Sequence, residues 1–295
     1  MNITLAHSPD ADDAFMFYGL ARNKIKTGNV TVTHLLKDIQ TLNEWALEGR
    51  FEASAISFHA YPEVSDKYAL LSAGGSFGEA NYGPMLIAKK KFSIKEIQNQ
   101  KIAVPGIKTT AFLLLKLTAP KAPYEVVPFD RILDHVAEDK SPIGLIIHEG
   151  QLTYHEKGLV EVLNFGKWWH DQYQLPLPLG DVVVRRDIPK TLQQNIANWV
   201  YQSVQYGIEH FEEAIDYASQ FGRGLSQETI KRFVRMYVNQ RTINLKEAGK
   251  KSVEILLQLG KEKGIIKHPY KLDWVEPTKK KSPMRVIRGR AESLP

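Results

Sequence analysis

The stretch KIAVPGIKTTAFLLLKLTAPKAPYEVVPFDRILDHVAEDKSPIGLII, Lys101 to Ile147, decides the fold class. KIAVPG reads as a strand and turn, TTAFLLLKL as a helix and YEVVPF as a second strand. RILDHVAEDK follows as a second helix and IGLII as a third strand. Strands alternating with helices pair in parallel, with the helices covering the sheet.

The same alternation runs upstream. Asn2–Ala6 is a β-rich strand, and after the turn-like SPDADD comes the apolar helix AFMFYGLARNKI. Asp10, Asp12 and Asp13 stand where carboxylates favour the positive end of that helix. Val30–Leu36 alternates as a strand, and DIQTLNEWALEGR is a helix with Thr41 as its expected cap. Phe51–Ser57 and Ala69–Ala73 are further strands. The glycine-rich GGSFGEANYGP then leads into the strand MLIAKK, and KFSIKEIQNQ carries a Ser93–Glu96 capping box.

Downstream, GDVVVRR supplies one more strand, and from Pro189 the pattern turns helical without a solenoid repeat. Two βα series followed by a return strand predict an α/β protein of two lobes with a central cleft. The larger lobe is expected to be discontinuous, residues 1–88 and 183–295, with a helical C-terminus and a basic tail. Residues 89–182 form the inserted smaller lobe, with crossings near Met85–Lys90 and Asp181–Arg186. Ligands in such folds sit between the lobes, against the C-terminal ends of strands.

Composition narrows the class. At 295 residues, 43% hydrophobic and 24% charged, the chain is globular, and no window reaches the length of a membrane span. With no cysteine, disulfides, thiolate metal sites and a cysteine nucleophile are excluded. MNITLAHSPDADD has neither a basic start nor a long apolar run, so no secretory signal is expected and a cytoplasmic location is. The net charge of +6 is concentrated in Lys279, Lys280, Lys281, Arg285, Arg288 and Arg290. Such a tail reads as a solvated end. The near-neutral body carries no sign of a nucleic-acid partner.

HSPDADD, AISFHA, GGSFGEANYGP, GIKTTA and IIHEGQLTY each follow a predicted strand, so they are expected to converge on one cleft. Thr109 and Thr110 open a helix after Gly106. They read either as a seat for a carboxylate or phosphate, or simply as a cap. Ser54, Ser57 and His59 lie at a strand end, where satisfied polar groups are the common reading. HEGQLTYHE lacks the spacing of a zinc helix. Asp10, Asp12 and Asp13 resemble half of a calcium loop without its glycine and glutamate, so no metal is expected. No nucleophile elbow, Walker A or dinucleotide fingerprint is present. Acid–base chemistry is left, and His148 is its candidate. On local grounds the plainer reading, an ordinary histidine closing a strand, is the favoured one.

Taken in order, HSPDADDAFMFYGL, DIQTLNEWAL, AISFHAY, GGSFGEANYGPMLIAKK, TTAFLLL, GLIIHEGQLTY, FGKWWHDQYQLPLPLGDVVVRRD, FGRG and MYVNQRTINL resemble one family. It is that of the 1,4-dihydroxy-6-naphthoate synthases of the futalosine route to menaquinone. The resemblance runs through about Leu245. It implies a periplasmic-binding-protein type II fold and a lyase without cofactor or metal. That lyase splits cyclic dehypoxanthine futalosine, a small-molecule substrate, into 1,4-dihydroxy-6-naphthoate and dihydroxyacetone. The histidine of IIHEG, here His148, is implied as proton acceptor. Ala55, Ile56 and Ser57 of the AIS segment, with Thr109, Thr110 and Ala111 of the TTA segment, are implied as substrate contacts. Asp12 stands where the family commonly has asparagine. Glu149 is left open as a partner that orients His148. The alternatives are chorismate dehydratase of the same pathway, which lacks the IIHEG histidine, and a non-catalytic solute-binding protein.

Overall fold

The computed structural model describes residues 1–278; the basic tail from Lys279 lies outside the described residues. The first part of the chain comprises β1 (Asn2–His7), α1 (Ala11–Ala21), β2 (Thr31–Leu36), α2 (Ile39–Leu47), β3 (Ala53–Ser57), β4 (Tyr68–Leu71) and β5 (Ser76–Gly78). It crosses into β6 (Met85–Ala88), α3 (Ile94–Ile97), β7 (Ile102–Val104), α4 (Thr110–Thr118), β8 (Tyr124–Val126), α5 (Ile132–Ala137), β9 (Ile143–Ile146) and β10 (Val160–Asn164). Helix α6 (Phe165–Tyr173) leads back to β11 (Leu177–Arg185). The remainder is α7 (Lys190–Glu209), α8 (Phe211–Ser219), α9 (Gln227–Tyr237), α10 (Gln240–Ile243), α11 (Lys246–Glu262) and β12 (Trp274–Val275).

Two mixed sheets result. The larger runs β12-β4-β11-β3-β1-β2 with β5 also on β11, and the smaller runs β10-β6-β9-β7-β8. Within the larger sheet β11 is antiparallel to β3 and β4, while β1, β2 and β3 are mutually parallel. In the smaller sheet β6 is antiparallel to both β9 and β10. The two antiparallel strands β6 and β11 are thus the first strand laid down after each crossing, as a chain arriving from the other lobe requires. The architecture is the two-lobed binding-protein type expected from the sequence.

Sheet membership also places the divisions between lobes. Met85–Ala88 belongs to the smaller sheet and β11 belongs whole to the larger, so the connecting segments are 79–84 and 165–176. The cap of α2 differs from the expected one: Asp38 accepts from the Thr41 amide, so the aspartate rather than Thr41 closes that helix end. The Ser93–Glu96 capping box on α3 is present.

Apolar runs became buried strands because helices cover both faces. All four residues of β9 and most of β11 are buried. Gly144 sits in β9 because α5 lies on it: a Cβ there would stand 2.6 Å from Ile132 Cγ2 and 2.7 Å from Val136 Cγ2. Helix α1 is buried almost all round, packed among α7, α8 and α9. A single apolar core joins the lobes at the back of the cleft. It takes Ile56, Phe58 and Val183 from the larger sheet, Leu86, Ile102 and Leu145 from the smaller, and Leu256 from α11.

Candidate active site

The loops expected to converge do so. A cavity of ≈ 820 Å³ opens between the lobes, lined by Ala55, Ile56 and Ser57 on one side and Thr109, Thr110 and Ala111 on the other. All six contact residues drawn from the resemblance therefore face one space. Asp10, Asp12, Asp13, Ile147, Asp181 and Tyr237 complete much of the wall. His148 does not line it. It follows Ile147, which does, and lies behind the wall at 5% exposure.

Ser57 is held by a residue that no local pattern singled out. Asn43 of α2 accepts from the Ser57 amide at 2.8 Å and donates to its Oγ at 3.0 Å. Since Oγ accepts from Asn43, the serine proton is available to a ligand oxygen. Asn43 also donates to the Lys108 carbonyl at 3.4 Å, and Gln40 accepts from the Lys108 amide at 2.9 Å, so α2 grips the loop before α4.

The threonines divide their roles. Thr109 caps α4: its hydroxyl accepts from the Phe112 amide and donates to the Gly106 carbonyl at 2.8 Å. The Thr110 hydroxyl donates to Leu179 O at 2.5 Å and accepts from the His59 amide at 3.2 Å, tying the lobes together. Both hydroxyls are occupied. What α4 offers the cavity is its first backbone N–H groups, which have no intrahelical acceptor, together with the positive end of its dipole. His59 donates from Nδ1 to the Thr109 carbonyl, 3.1 Å away, and burial lowers its pKa to about 4.

His148 sits on the turn after β9. The Gly150 N–H donates to its Nδ1 at 2.9 Å, so the neutral ring carries its proton on Nε2. Nε2 is buried without a hydrogen bond. Burial holds the His148 pKa below its usual value; Glu149 and Asp10 oppose that, and Arg223 adds to it. The ring can fold over Gly150 only because that residue has no side chain. A Cβ there would lie 2.5 Å from His148 Cε1 and 2.5 Å from Leu133 Cδ1. Gly150→Ala is expected to turn the imidazole away and, under the base role proposed for His148 below, to lower kcat by about a hundredfold, the usual cost of an ångström-scale misplacement. Steady-state kinetics on the folded variant checks this.

A second group of side chains is acidic. Asp12 is pushed well above the normal carboxyl range by burial and by the repulsion of Asp13, Asp10 and Glu149. Asp13 is raised to about 7, chiefly by burial, although it accepts from the Ser8 amide at 2.7 Å. His7 lies 3.9 Å from Asp13, but burial lowers its pKa to about 3, so the two are not an ion pair near neutral pH. Asp181 is 3% exposed, its Oδ1 accepts from the Val182 amide at 2.8 Å, and Oδ2 has no partner. Burial raises its pKa well above normal. When protonated, Asp12 and Asp181 are hydrogen-bond donors, a property that ionised carboxylates lack. Among the described residues no cluster is arranged to hold a metal ion.

The Asp181 shift has a stability consequence. A carboxyl whose folded pKa exceeds its unfolded value keeps its full contribution below the unfolded pKa and loses it as pH rises toward the folded one. Asp181→Asn is therefore expected to raise Tm relative to wild type near neutral pH, with the gap closing toward pH about 4, where both forms are neutral. Thermal melts across that range decide it; a gap independent of pH would remove the buried-acid assignment.

Arg223, in the loop between α8 and α9, spans the front of the cleft. It donates to Glu149 Oε1 at 2.5 Å and to Asp10 Oδ1 at 2.6 Å, and its guanidinium lies 4.8 Å over the Phe129 ring. The Phe129 ring meets His148 edge-on at 5.6 Å. Glu149 thus faces Arg223 rather than solvent. Tyr237 of α9 also crosses the cleft, donating to Gln151 Oε1 at 2.8 Å.

Comparison with known proteins follows the same lines. Residues 3–262 match the family model described as menaquinone biosynthesis, and the chain belongs to this family of menaquinone biosynthesis enzymes. It is 38% identical over 263 residues to the 1,4-dihydroxy-6-naphthoate synthase of Thermus thermophilus, spanning 89% of this chain and 95% of the relative. A crystal structure of an Archaeoglobus fulgidus protein superposes with a TM-score of 0.86 at 43% identity, covering 90% of this chain and 98% of that one. The alkanesulfonate-binding protein of Xanthomonas axonopodis pv. citri superposes with a TM-score of 0.70 at 11% identity, over 90% of this chain and 94% of that one. At that identity the likeness concerns the fold alone, which is of the periplasmic-binding-protein type.

Proposed function

We propose that this enzyme is a 1,4-dihydroxy-6-naphthoate synthase, splitting cyclic dehypoxanthine futalosine into the naphthoate and dihydroxyacetone in the cytoplasm, with His148 as general base. The observation that carries this reading is the meeting, around one interlobe cavity, of the AIS and TTA segments with the turn bearing His148. The identity to the Thermus thermophilus synthase over nearly the whole chain supports it.

The geometry suits such a substrate. Its carboxylate finds no lysine or arginine in the cavity wall among the described residues, so the amide groups opening α4 and the Ser57 hydroxyl are its seat. The hydroxyl-rich sugar part then lies toward Asp12 and Asp181 and the His148 turn. Below its usual pKa, His148 is neutral near pH 7 and able to accept a proton. To do so its ring must leave the Gly150 N–H, because that contact occupies the lone pair. As the carbon–carbon bond breaks, the ring system becomes aromatic, which supplies much of the driving force. The protein's work is to orient the substrate and exclude water.

Incubating purified protein with cyclic dehypoxanthine futalosine should release the naphthoate and dihydroxyacetone. No product, alongside tight binding of a transported solute, would overturn the assignment in favour of a binding protein.

A further inference from the structure

We propose that Arg223 is a positioning residue that couples closure of the two lobes to assembly of the His148 site. Asp10, which Arg223 engages through Nη2, belongs to the same lobe, whereas Glu149, engaged through Nη1, belongs to the other. Asp10 therefore keeps the guanidinium aimed across the cleft whether the lobes are apart or together, and Glu149 meets it only when they close. The Glu149 side chain is 3% exposed in this contact, against 18% for Asp10 and 30% for Arg223. The smaller lobe's carboxylate is the one that closure buries.

Three further observations belong to the same device. The backbone at Arg223 is left-handed, φ 50°, and Gly224 follows at φ 81°. A non-glycine residue held there costs free energy, and such strain persists where the surroundings demand one direction of the side chain. Phe129, beneath the guanidinium, carries the contact onward to the edge of the His148 ring. Lastly, Glu149 and His148 are chain neighbours on one turn, so fixing the carboxylate fixes the backbone from which the imidazole projects.

The consequence is electrostatic as well as geometric. The groups bearing on His148 are Glu149 from its own turn, Asp10 from the β1–α1 loop and Arg223 from the α8–α9 loop. Asp12 also faces Glu149, and burial with its acidic neighbours pushes its own pKa well above the usual carboxyl range. From the segment before α5 come the Phe129 carbonyl and ring, and α5 itself supplies the apolar Leu133 beside Gly150. With the lobes apart, Glu149 would stand beside His148 without its cation and favour the imidazolium. Closure brings the cation to Glu149, buries the ring and favours neutral imidazole, the form that accepts a proton.

This inference rests on the naphthoate synthase reading, and the experiment separates the two. Wild type, Arg223→Ala, Arg223→Lys and Glu149→Gln are compared for kcat, KM and the pH profile of kcat/KM with cyclic dehypoxanthine futalosine, after circular dichroism confirms folding. Arg223→Ala is expected to lose about 10- to 100-fold in kcat, the scale of a misplaced catalytic group, with a smaller change in KM. Its acid limb moves to higher pH, because a cation that lowers the His148 pKa is gone. Glu149→Gln moves the limb the other way while also lowering kcat. Arg223→Lys keeps the charge and the position of the limb, but it cannot bridge both carboxylates and recovers only part of kcat. Wild-type kcat and an unmoved acid limb in Arg223→Ala overturn the proposal while leaving the synthase reading intact. If wild type itself does not turn over, the synthase reading fails. The clasp is then judged by small-angle scattering: a larger radius of gyration for Arg223→Ala than for wild type supports it, and equal radii overturn it.

Discussion

His148→Asn is expected to reduce turnover by about 10²- to 10⁴-fold, the range that a positioned general base contributes. Asparagine is close enough in size to leave the turn intact, and its amide oxygen can accept from the Gly150 N–H as Nδ1 does at 2.9 Å. It cannot take up a proton near neutral pH. The residues proposed to contact substrate on β3 and at the start of α4 are untouched, so KM and product affinity should change little. A loss in kcat alone is what the loss of a group acting only in the transition state produces. In wild type, activity should fall as pH drops through the His148 pKa, which burial holds below 6.5. The pH profile and single-turnover rates check both points. Near-normal release of naphthoate by His148→Asn would sink the base assignment.

Trp169→Ala is expected to be the most destabilising single truncation near the connection between lobes. Trp169 lies in α6, the helix that carries the chain back from the smaller sheet to the larger, and is fully buried. Its indole N–H donates to Ser252 Oγ at 3.1 Å, and that hydroxyl donates in turn to the Pro176 carbonyl at 2.6 Å. Removing a buried indole costs about 3–5 kcal/mol. In a chain of this size that corresponds to a fall in Tm of roughly 6–20 °C. Trp169→Phe keeps most of the packing and leaves Ser252 bonded to Pro176, so its cost should be well below half of that. Scanning calorimetry of the two variants separates packing from the hydrogen bond. A Tm for Trp169→Ala within about 2 °C of wild type would contradict the buried-anchor role.

Elements with a strong local signal were readable from sequence. IGLI and VVVR are apolar runs that only burial on both faces accommodates, and TTAFLLLKL and the run from Pro189 are long enough to show helical periodicity. The short strands β5, β10 and β12 were not readable. Two of the five residues of β10 are charged or amide side chains, and β12 is two residues long, so pairing rather than composition makes them strands. The long helical run after Pro189 breaks at His210 into α7 and α8, with no proline or glycine at that residue to announce it.

The site divides in the same way. That the AIS and TTA segments and the His148 turn lie around one cavity was readable because each follows a strand, and strand ends face the cleft in such folds. Asn43, Asp181 and Arg223 carried no local signal: Asn43 and Arg223 are defined by distant partners, and Asp181 by its burial. Arg223 bonds to a carboxylate 213 positions earlier in the chain, and Asn43 to a carbonyl 65 positions later. FGRG was visible as a motif, but nothing local says what its arginine reaches. Of the two readings left open for the threonines, cap or ligand seat, the Thr109 hydroxyl takes the cap, and that of Thr110 is engaged by the opposite lobe.

The place of β11 at the middle of the larger sheet bears on how the chain comes to be folded at all. As the polypeptide emerges during synthesis, β3 and β4 are complete long before the strand that lies between them, and an entire second sheet is made in the interval. Until residue 185 has appeared, both strands present unpaired edges toward an absent neighbour. Helix α1, likewise, has to wait for α7 and α8 to cover it. The smaller sheet is contiguous from residue 85 to 164 and can organise first. The half-built larger sheet is the sticky, slow-maturing species, and it is the one a growing cell has to protect from aggregation.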